Sequence, residues 1–506
     1  MASTFFTLLV GAVLLFILYF IKKYTYWKRR GVPTVKGVVP FAGNILPVLT
    51  LQSNFNDMHT KMYKDYKQYS MVGYYKLWTP VLIVREPQMV KTILQSNFSS
   101  FHKNALTVRE DLDPLLVKNP FFTSGESWSR SRKRMTYAFS NVRLKSLFVT
   151  VNGVCKKFED FLNRRLAFDD KYETELKHLF SKFTGEVVAN AGLGIEGFCF
   201  EDTKHAGAFD IISEPIFEPS FFRAFENNAL FITELRNLLR SKWIPKEFDA
   251  FFRNIVKENI EIRQKESTPR NDFLQVMIDL MKTSNENIDM ESITAEALSF
   301  YVDGFETSSI TLSFIGYNLA AHPDVQEKLR QEITSKIAKY DGVLTFDALK
   351  EMTYMEQVMN ESQRLYPALS ALSKICTEKF ELQGSDGLTL QVEPGTEIII
   401  PHHGFQLDPQ YWVDPEVFDP ERFNEEKKQS IVKMTFLPFG EGPRMCVGMK
   451  MAMLQMKACL ATLVGKYKFT LSPKTQIPLK MTPYHFLAAA QGGLWVHIRK
   501  FNNCYF

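Results

Sequence analysis

The chain predicts a mainly α-helical protein with small β-sheets, carried behind an N-terminal membrane anchor. Three observations point there: an uncharged apolar run over residues 5–21, helix-period apolar patterning through most of residues 50–340, and only short strand-like runs elsewhere. The 506 residues are 45% hydrophobic and include 43 Phe, enough for a large core. A net charge of +5 carries no nucleic-acid footprint. Six cysteines (Cys155, Cys199, Cys376, Cys446, Cys459, Cys504) are scattered with no CxxC. That argues against a disulfide framework or structural zinc and suits a reducing compartment.

Residues 5–21, FFTLLVGAVLLFILYFI, are followed by the basic run KKYTYWKRR (22–30), with no Lys or Arg before them. A helix of this length reaches about 26 Å, close to a hydrocarbon core. Charge after the apolar run is the order of a signal anchor, not of a cleaved signal peptide. The positive-inside rule then places the amino terminus in the lumen and the body in the cytoplasm. The predicted organisation is residues 1–21 as a transmembrane helix, 22–44 as a basic stop and Pro/Gly hinge, and 45–506 as one catalytic domain. The hinge GVPTVKGVVPFAGN (31–44) holds two prolines and three glycines, a stiff spacer between anchor and body.

Within the body, residues 55–70, 146–166 and 322–340 carry helical spacing, and 71–77 and 81–86 read as short strands. LTLQV-EPGT-EIIIP (388–401) reads as a hairpin turned by Pro-Gly. GLGIEG (192–197) matches a dinucleotide fingerprint in letters only: a helix-like run precedes it and no βαβ unit surrounds it, so it reads as a helix terminus. NFS at Asn97 and NES at Asn360 are sequons in form only if the body is cytoplasmic.

Two stretches carry chemistry. PFGEGPRMCVG (438–448) sets one cysteine among three glycines, with Arg444 two residues before it and an apolar helix after it. The glycines let backbone turn closely around something flat or bulky. The helix N-terminus would favour a thiolate at Cys446, and the arginine can meet a carboxylate. YVDGFETSS (301–309) interrupts a predicted core helix with two acids and the hydroxyls of Thr307, Ser308 and Ser309, groups that an interior helix seldom carries.

Phe439, Gly442, Arg444, Cys446 and Gly448 resemble the haem-ligand signature F-x-x-G-x-R-x-C-x-G of the cytochrome P-450 family. In the same chain order ESQR (361–364) is similar to its E-x-x-R helix, PERF (420–423) to its arginine region, WSRSR (128–132) to W-x-x-x-R, and DGFETS (303–308) to its distal-helix motif. The likeness spans the whole chain, and in style it resembles insect detoxification members. It implies the cytochrome P-450 fold, with haem b (iron protoporphyrin IX) between the distal helix and the cysteine loop. Cys446 would be the axial ligand of the haem iron, shielded by Phe439 and followed by Gly448. Trp128, Arg132 and Arg444 would hold the propionates. Gly304 would let O2 approach the backbone, with Thr307 and Glu306 guiding protons to it. Glu361, Arg364 and Arg422 would be structural. For Thr307 the residues alone leave open a plain helical threonine bonded to its own i−4 carbonyl.

Three positions depart from the family pattern. Asp303 stands where Ala or Gly is usual, four residues before Thr307 and so on its face. A carboxylate there needs a partner: it would pair with an internal donor such as a nearby hydroxyl or basic side chain, anchor a cationic substrate, or swing to water. Lys374 stands where a propionate-binding arginine is frequent, keeping charge without the bidentate fork. Gln406 stands where histidine is common, which puts one haem-edge hydrogen bond in doubt.

By resemblance, residues 101–116, 211–225, 368–373 and 483–487 face substrate, with Asp303, Leu369 and Phe486 as contacts for a lipophilic small molecule. FEPSFF (217–222) would dip into the bilayer surface. No flavin or iron–sulfur motif is present, so electrons would come from NADPH through NADPH-cytochrome reductase, with cytochrome b5 as a further donor. Lys133, Arg134, Lys450 and Lys457 would receive the acidic partner. The expected protein is a single-pass endoplasmic-reticulum monooxygenase acting on xenobiotics or plant alkaloids. Alternatives are an endogenous lipid or hormone hydroxylase, a haem isomerase or dehydratase, and a non-catalytic haem sensor or sequestering protein.

Overall fold

The computed structural model describes residues 2–202, 205, 207–217, 221–240, 242–266, 268, 270–283 and 288–501. The apolar run forms one helix, Ala2–Tyr24, ending on Lys22 and Lys23, whose charges suit a helix C-terminus. Its stretch Thr4–Tyr24 is long and apolar enough to cross a membrane.

The segment expected to be a spacer is instead packed into the body. Trp27 is fully buried and its indole N–H donates to Tyr74 O at 3.1 Å. A Cβ on Gly73 would lie 2.3 Å from the Trp27 ring, so only glycine admits that indole. Val35 N–H donates to Gly73 O, and Asn44 N–H to Tyr75 O. Proline and glycine here shape a chain laid along a sheet, because that sheet's edge offers unpaired backbone groups. Phe41 meets Phe20 of the N-terminal helix edge-on at 4.9 Å.

A five-stranded sheet runs β1 (Met71–Lys76), β2 (Thr79–Val84), β8 (Glu397–Ile400), β5 (Leu372–Ile375) and β3 (Lys103–Asn104). β4 (Tyr172–Glu175), β10 (Trp495–Lys500) and β9 (Tyr467–Leu471) form a second sheet; β6 (Phe380–Gln383) and β7 (Thr389–Val392) form a hairpin. The hairpin expected over 388–401 is therefore not formed. β7 pairs with β6, while β8 pairs with β2 and β5. The Pro-Gly turn hands the chain from one sheet to another: β8 is buried on both faces and needs two neighbours, whereas β7 alternates and suits an edge.

Helices make the rest. The distal helix, Met290–Ala321, starts on Asp289, whose side chain accepts from Ser292 N–H. Most of its circumference is buried, the pattern of a core helix. Four of its hydroxyls bond within it: Ser299, Thr307, Thr311 and Ser313 each donate to the carbonyl four residues back. The helix Leu176–Val187 packs on it, with Leu176 and Phe180 over Gly316. The GLGIEG stretch ends a helix, as expected, with Gly194 left-handed at φ 66°.

Candidate active site

Cys446 sits where a tight loop becomes the helix Met449–Lys466. Gly440 and Gly442 hold φ of 69° and 76°. A Cβ on Gly442 would lie 2.0 Å from Leu94 O, so this turn excludes any side chain. Cys446 N–H donates to Phe439 O at 2.8 Å, and its sulfur faces the N–H groups of Gly448 and Met449. Cys446 has accessible surface, yet burial pushes its thiol up to about 11. The two facts agree if the sulfur opens on an enclosed chamber, desolvated but not covered. Asp303 also raises it, while the two N–H groups and Arg132 pull it down. The helix N-terminus expected to hold a thiolate does help, but burial outweighs it until a cation sits on the sulfur.

A ring of positive charge lies beside this loop. Arg132, from the helix Gly125–Ala138, donates to Met445 O at 2.6 Å. Arg444 donates to Pro120 O and Thr123 O at 2.9 and 2.8 Å, and its guanidinium stands 4.4 Å over the Trp128 ring. Its Nε is buried without a partner. Lys374 on β5 reaches Asn104 of β3, its register neighbour, at 2.7 Å. Burial and the charge of Arg132 bring Arg444 down to about 10; burial and the charge of Arg444 bring Lys374 to about 7. Among the described residues none of these three cations has a carboxylate partner within ion-pair distance. One buried and two half-buried cations beside the cysteine loop fit a flat group that carries two carboxylates and its own metal. No three His, Cys, Asp or Glu cluster as metal ligands among the described residues, so the metal's other ligands would have to come with the group. These residues fit haem.

On the distal helix, Thr307 Oγ1 donates to Asp303 O at 2.6 Å, leaving its lone pairs available. A Cβ on Gly304 would meet only Val188, at 3.6 Å, so protein packing alone does not demand glycine there. Glu306 is buried with its carboxylate 2.9 Å from Lys177 Nζ and 3.2 Å from His485 Nε2. Lys177 acts on the carboxylate chiefly through its charge and His485 chiefly through its Nε2–H. Burial raises Glu306, but Lys177 and His485 together bring it below the ordinary carboxylate range. His485 Nδ1 accepts from Leu487 N–H at 3.0 Å, which puts the ring proton on Nε2, toward Phe217 O and Glu306. Lys177 and His485 went unseen in the sequence, being 129 and 179 residues from Glu306.

Asp303 accepts from Asn119 Nδ2 at 3.0 Å. The internal donor expected for it is an amide, not one of the hydroxyl or basic side chains named as examples. Asp303 also has accessible surface while burial raises its carboxyl to about 6, against a smaller lowering by Asn119. It opens on the same chamber as Cys446, whose thiol feels its charge.

Around this stands a buried bracket. Arg364 grips Glu361 with two hydrogen bonds, 2.7 and 2.8 Å, and donates to Gln406 O and Pro415 O. Arg422 reaches Glu361 at 3.2 Å and donates to Val413 O and Asp414 O. Gln406 belongs to this bracket rather than to a haem edge. It is fully buried, donates to Gln363 O and Arg364 O, and accepts from Leu437 N–H. Its amide closes the carbonyl end of the E-x-x-R helix, groups that helical bonding leaves open.

Leu369 is half-buried against the main core, and Phe486 meets Trp243 edge-on at 5.4 Å. Residues 218–220 of the expected bilayer-dipping stretch lie outside the described residues. Of the four basic residues expected to receive a partner, two are engaged internally. Arg134 pairs with buried Glu296, and Lys457 with Glu356 at 3.0 Å. Lys133 and Lys450 remain exposed, with Lys450 3.3 Å from Asn141 Oδ1. Sequence order cannot tell an outward charge from one turned into a neighbouring helix.

The family model described as Cytochrome P450 matches residues 33–495. The chain is similar to Cytochrome P450 6j1 of Blattella germanica, 32% identical over 488 residues that cover 96% of this chain and 95% of that protein. It is similar to Probable cytochrome P450 6a13 of Drosophila melanogaster, 33% identical over 499 residues covering 97% and 98%. Cytochrome P450 9e2 of Blattella germanica is 30% identical over 507 residues, 94% of each chain.

Proposed function

The chain belongs to the cytochrome P450 family and is a monooxygenase of the oxidoreductase class, and on that premise we propose that it inserts one oxygen atom from O2 into lipophilic small molecules such as xenobiotics or plant alkaloids. The observation that carries this reading is the placing of Cys446, a thiol with accessible surface that burial still desolvates, beside three cations that have no carboxylate partner among the described residues. When bound, haem supplies the reduction and splitting of O2. Gly448 and Met449 N–H groups hold negative charge on Cys446 sulfur; Arg132, Arg444 and Lys374 hold propionates, with Trp128 supporting Arg444.

Thr307 supplies a hydroxyl over the chamber, tethered through its proton to Asp303 O. Glu306 is kept ionised by Lys177 and His485, and the Lys177 side chain is 32% exposed. A proton entering at Lys177 or through water would pass to the Glu306 carboxylate and on toward Thr307 Oγ1 by a side-chain rotation. The bracket of Glu361, Arg364, Arg422 and Gln406 keeps the loop before Cys446 in register.

Electrons come from NADPH by way of a reductase, with cytochrome b5 as a second donor, docking at Lys133 and Lys450. The protein sits in the endoplasmic-reticulum membrane on one helix, its catalytic domain on the cytoplasmic face, as Lys22 and Lys23 after the apolar run favour. Reduced carbon-monoxide spectra of the wild type and Cys446→Ala test the ligand: an unchanged Soret band in the variant would refute it. Oxygen-dependent turnover with reductase and NADPH separates a monooxygenase from an isomerase, a dehydratase or a haem carrier.

A further inference from the structure

We infer that Asp303 is the docking point for a protonated amine on the lipophilic substrate, and that Asn119 is the positioning residue that aims its carboxylate into the chamber. The inference rests on the haem-thiolate reading above and narrows its substrate class.

Four observations carry it. Asp303 has accessible surface inside the fold, and the partner that the structure gives it is a neutral amide on one oxygen, Oδ2. No cation lies within ion-pair distance of it among the described residues, so its charge is not neutralised by the chain. The cations nearest in function, Arg132, Arg444 and Lys374, are tied to Met445 O, to Pro120 O and Thr123 O, and to Asn104 Oδ1.

Asn119 is fixed rather than adaptable. Its Oδ1 accepts from Phe121 N–H at 2.7 Å, so its NH2 must point at Asp303. The loop that carries it is pinned on both sides. Arg444 holds Pro120 O and Thr123 O, and Asp113 accepts from Trp243 and Ile244 N–H at 2.9 and 3.0 Å. A rigid donor of this kind sets the plane of the carboxylate and leaves Oδ1 for a ligand.

An aromatic wall stands beside this loop: Phe122 meets Trp243 at 5.8 Å, and Trp243 meets Phe486 at 5.4 Å. A carboxylate with no cation partner among the described residues recognises an ammonium group by a charge-assisted bond. Burial leaves Asp303 with a value of about 6, so the carboxylate form still predominates at neutral pH.

The test uses full-length holoenzyme and two probes of the same shape, dimethyl(phenylpropyl)amine and its uncharged carbon isostere isohexylbenzene. Binding is read by Soret shift and independently by equilibrium dialysis. Asp303→Asn should weaken the amine by roughly tenfold to a hundredfold, the range for a hydrogen bond to a charged group, and leave the isostere within about twofold. Asp303→Glu, which restores the charge, should restore amine binding. Asp303→Ser gives the same comparison if Asp303→Asn loses haem. Parallel changes for both probes, or amine binding that ignores the charge, would overturn the assignment. The carbon-monoxide spectrum is taken on each sample first. A wild type without a thiolate Soret band would bring down the haem-thiolate reading itself, and this inference with it.

Discussion

Replacing Gln406 by Leu separates two roles for one residue. The side chain is 0% exposed and makes four polar contacts: Nε2 to Gln363 O and Arg364 O at 3.1 and 2.9 Å, and Oε1 to Leu437 N at 3.3 Å and His402 Nδ1 at 3.1 Å. Leucine fills most of the volume and satisfies none of them. At about 1 kcal/mol net per lost bond, with roughly 1–3 kcal/mol for a buried donor left orphaned, the gross loss is about 5–7 kcal/mol. The apolar gain of the leucine offsets about 1–2 kcal/mol of it. A net destabilisation of about 3–6 kcal/mol is expected. Guanidinium titration of the holoenzyme, followed by tryptophan fluorescence and by the Soret band, reads it as a lowered midpoint with faster haem release. The resting and reduced carbon-monoxide spectra should not move, because Gln406 faces the E-x-x-R helix and not the chamber. A spectral or redox shift with stability changed by under about 1 kcal/mol would refute this and return Gln406 to the haem edge.

Arg364→Ala should cost about 3–5 kcal/mol, since it strands Glu361, which is 0% exposed, with Arg422 as its remaining cation; urea unfolding and haem retention read the loss. Gly73→Ala should cost about 1–3 kcal/mol by driving a methyl into the Trp27 ring, detected as faster protease nicking near residues 25–45. Lys177→Met should leave the carbon-monoxide spectrum intact and slow turnover by at least about tenfold with a raised solvent isotope effect, if Glu306 relays protons. Burial lowers His59 to about 3 and His402 to about 4, so between pH 6.5 and about 4 the unfolded chain binds protons that the fold refuses. Stability from these two groups is complete above pH 6.5 and should fall by about 1.4 kcal/mol per pH unit for each as pH drops, measured by denaturant midpoints across that window.

Local patterns were the legible part. The cysteine loop, the E-x-x-R pair and the distal polar break are short, with spacing that reflects one turn or one helix face, and each can be read without knowing what lies opposite. Strand partners were less legible. EPGT has the chemistry of a hairpin turn, yet β7 and β8 leave it for different sheets, because burial on two faces gave β8 neighbours from β2 and β5. Residues 22–44 have the composition of a spacer, yet the void that Gly73 leaves admits the Trp27 indole and draws the segment onto the sheet.

By itself the sequence determined the helical class and the family, since these depend on residue types at fixed local intervals. Tertiary structure alone decided which groups meet across long separations. It put Lys177 and His485 on Glu306, turned Arg134 and Lys457 inward, set Gln406 into the bracket, and gave Asp303 the amide of Asn119. Those pairings follow from packing and desolvation, which act through space and leave no interval in the chain to read.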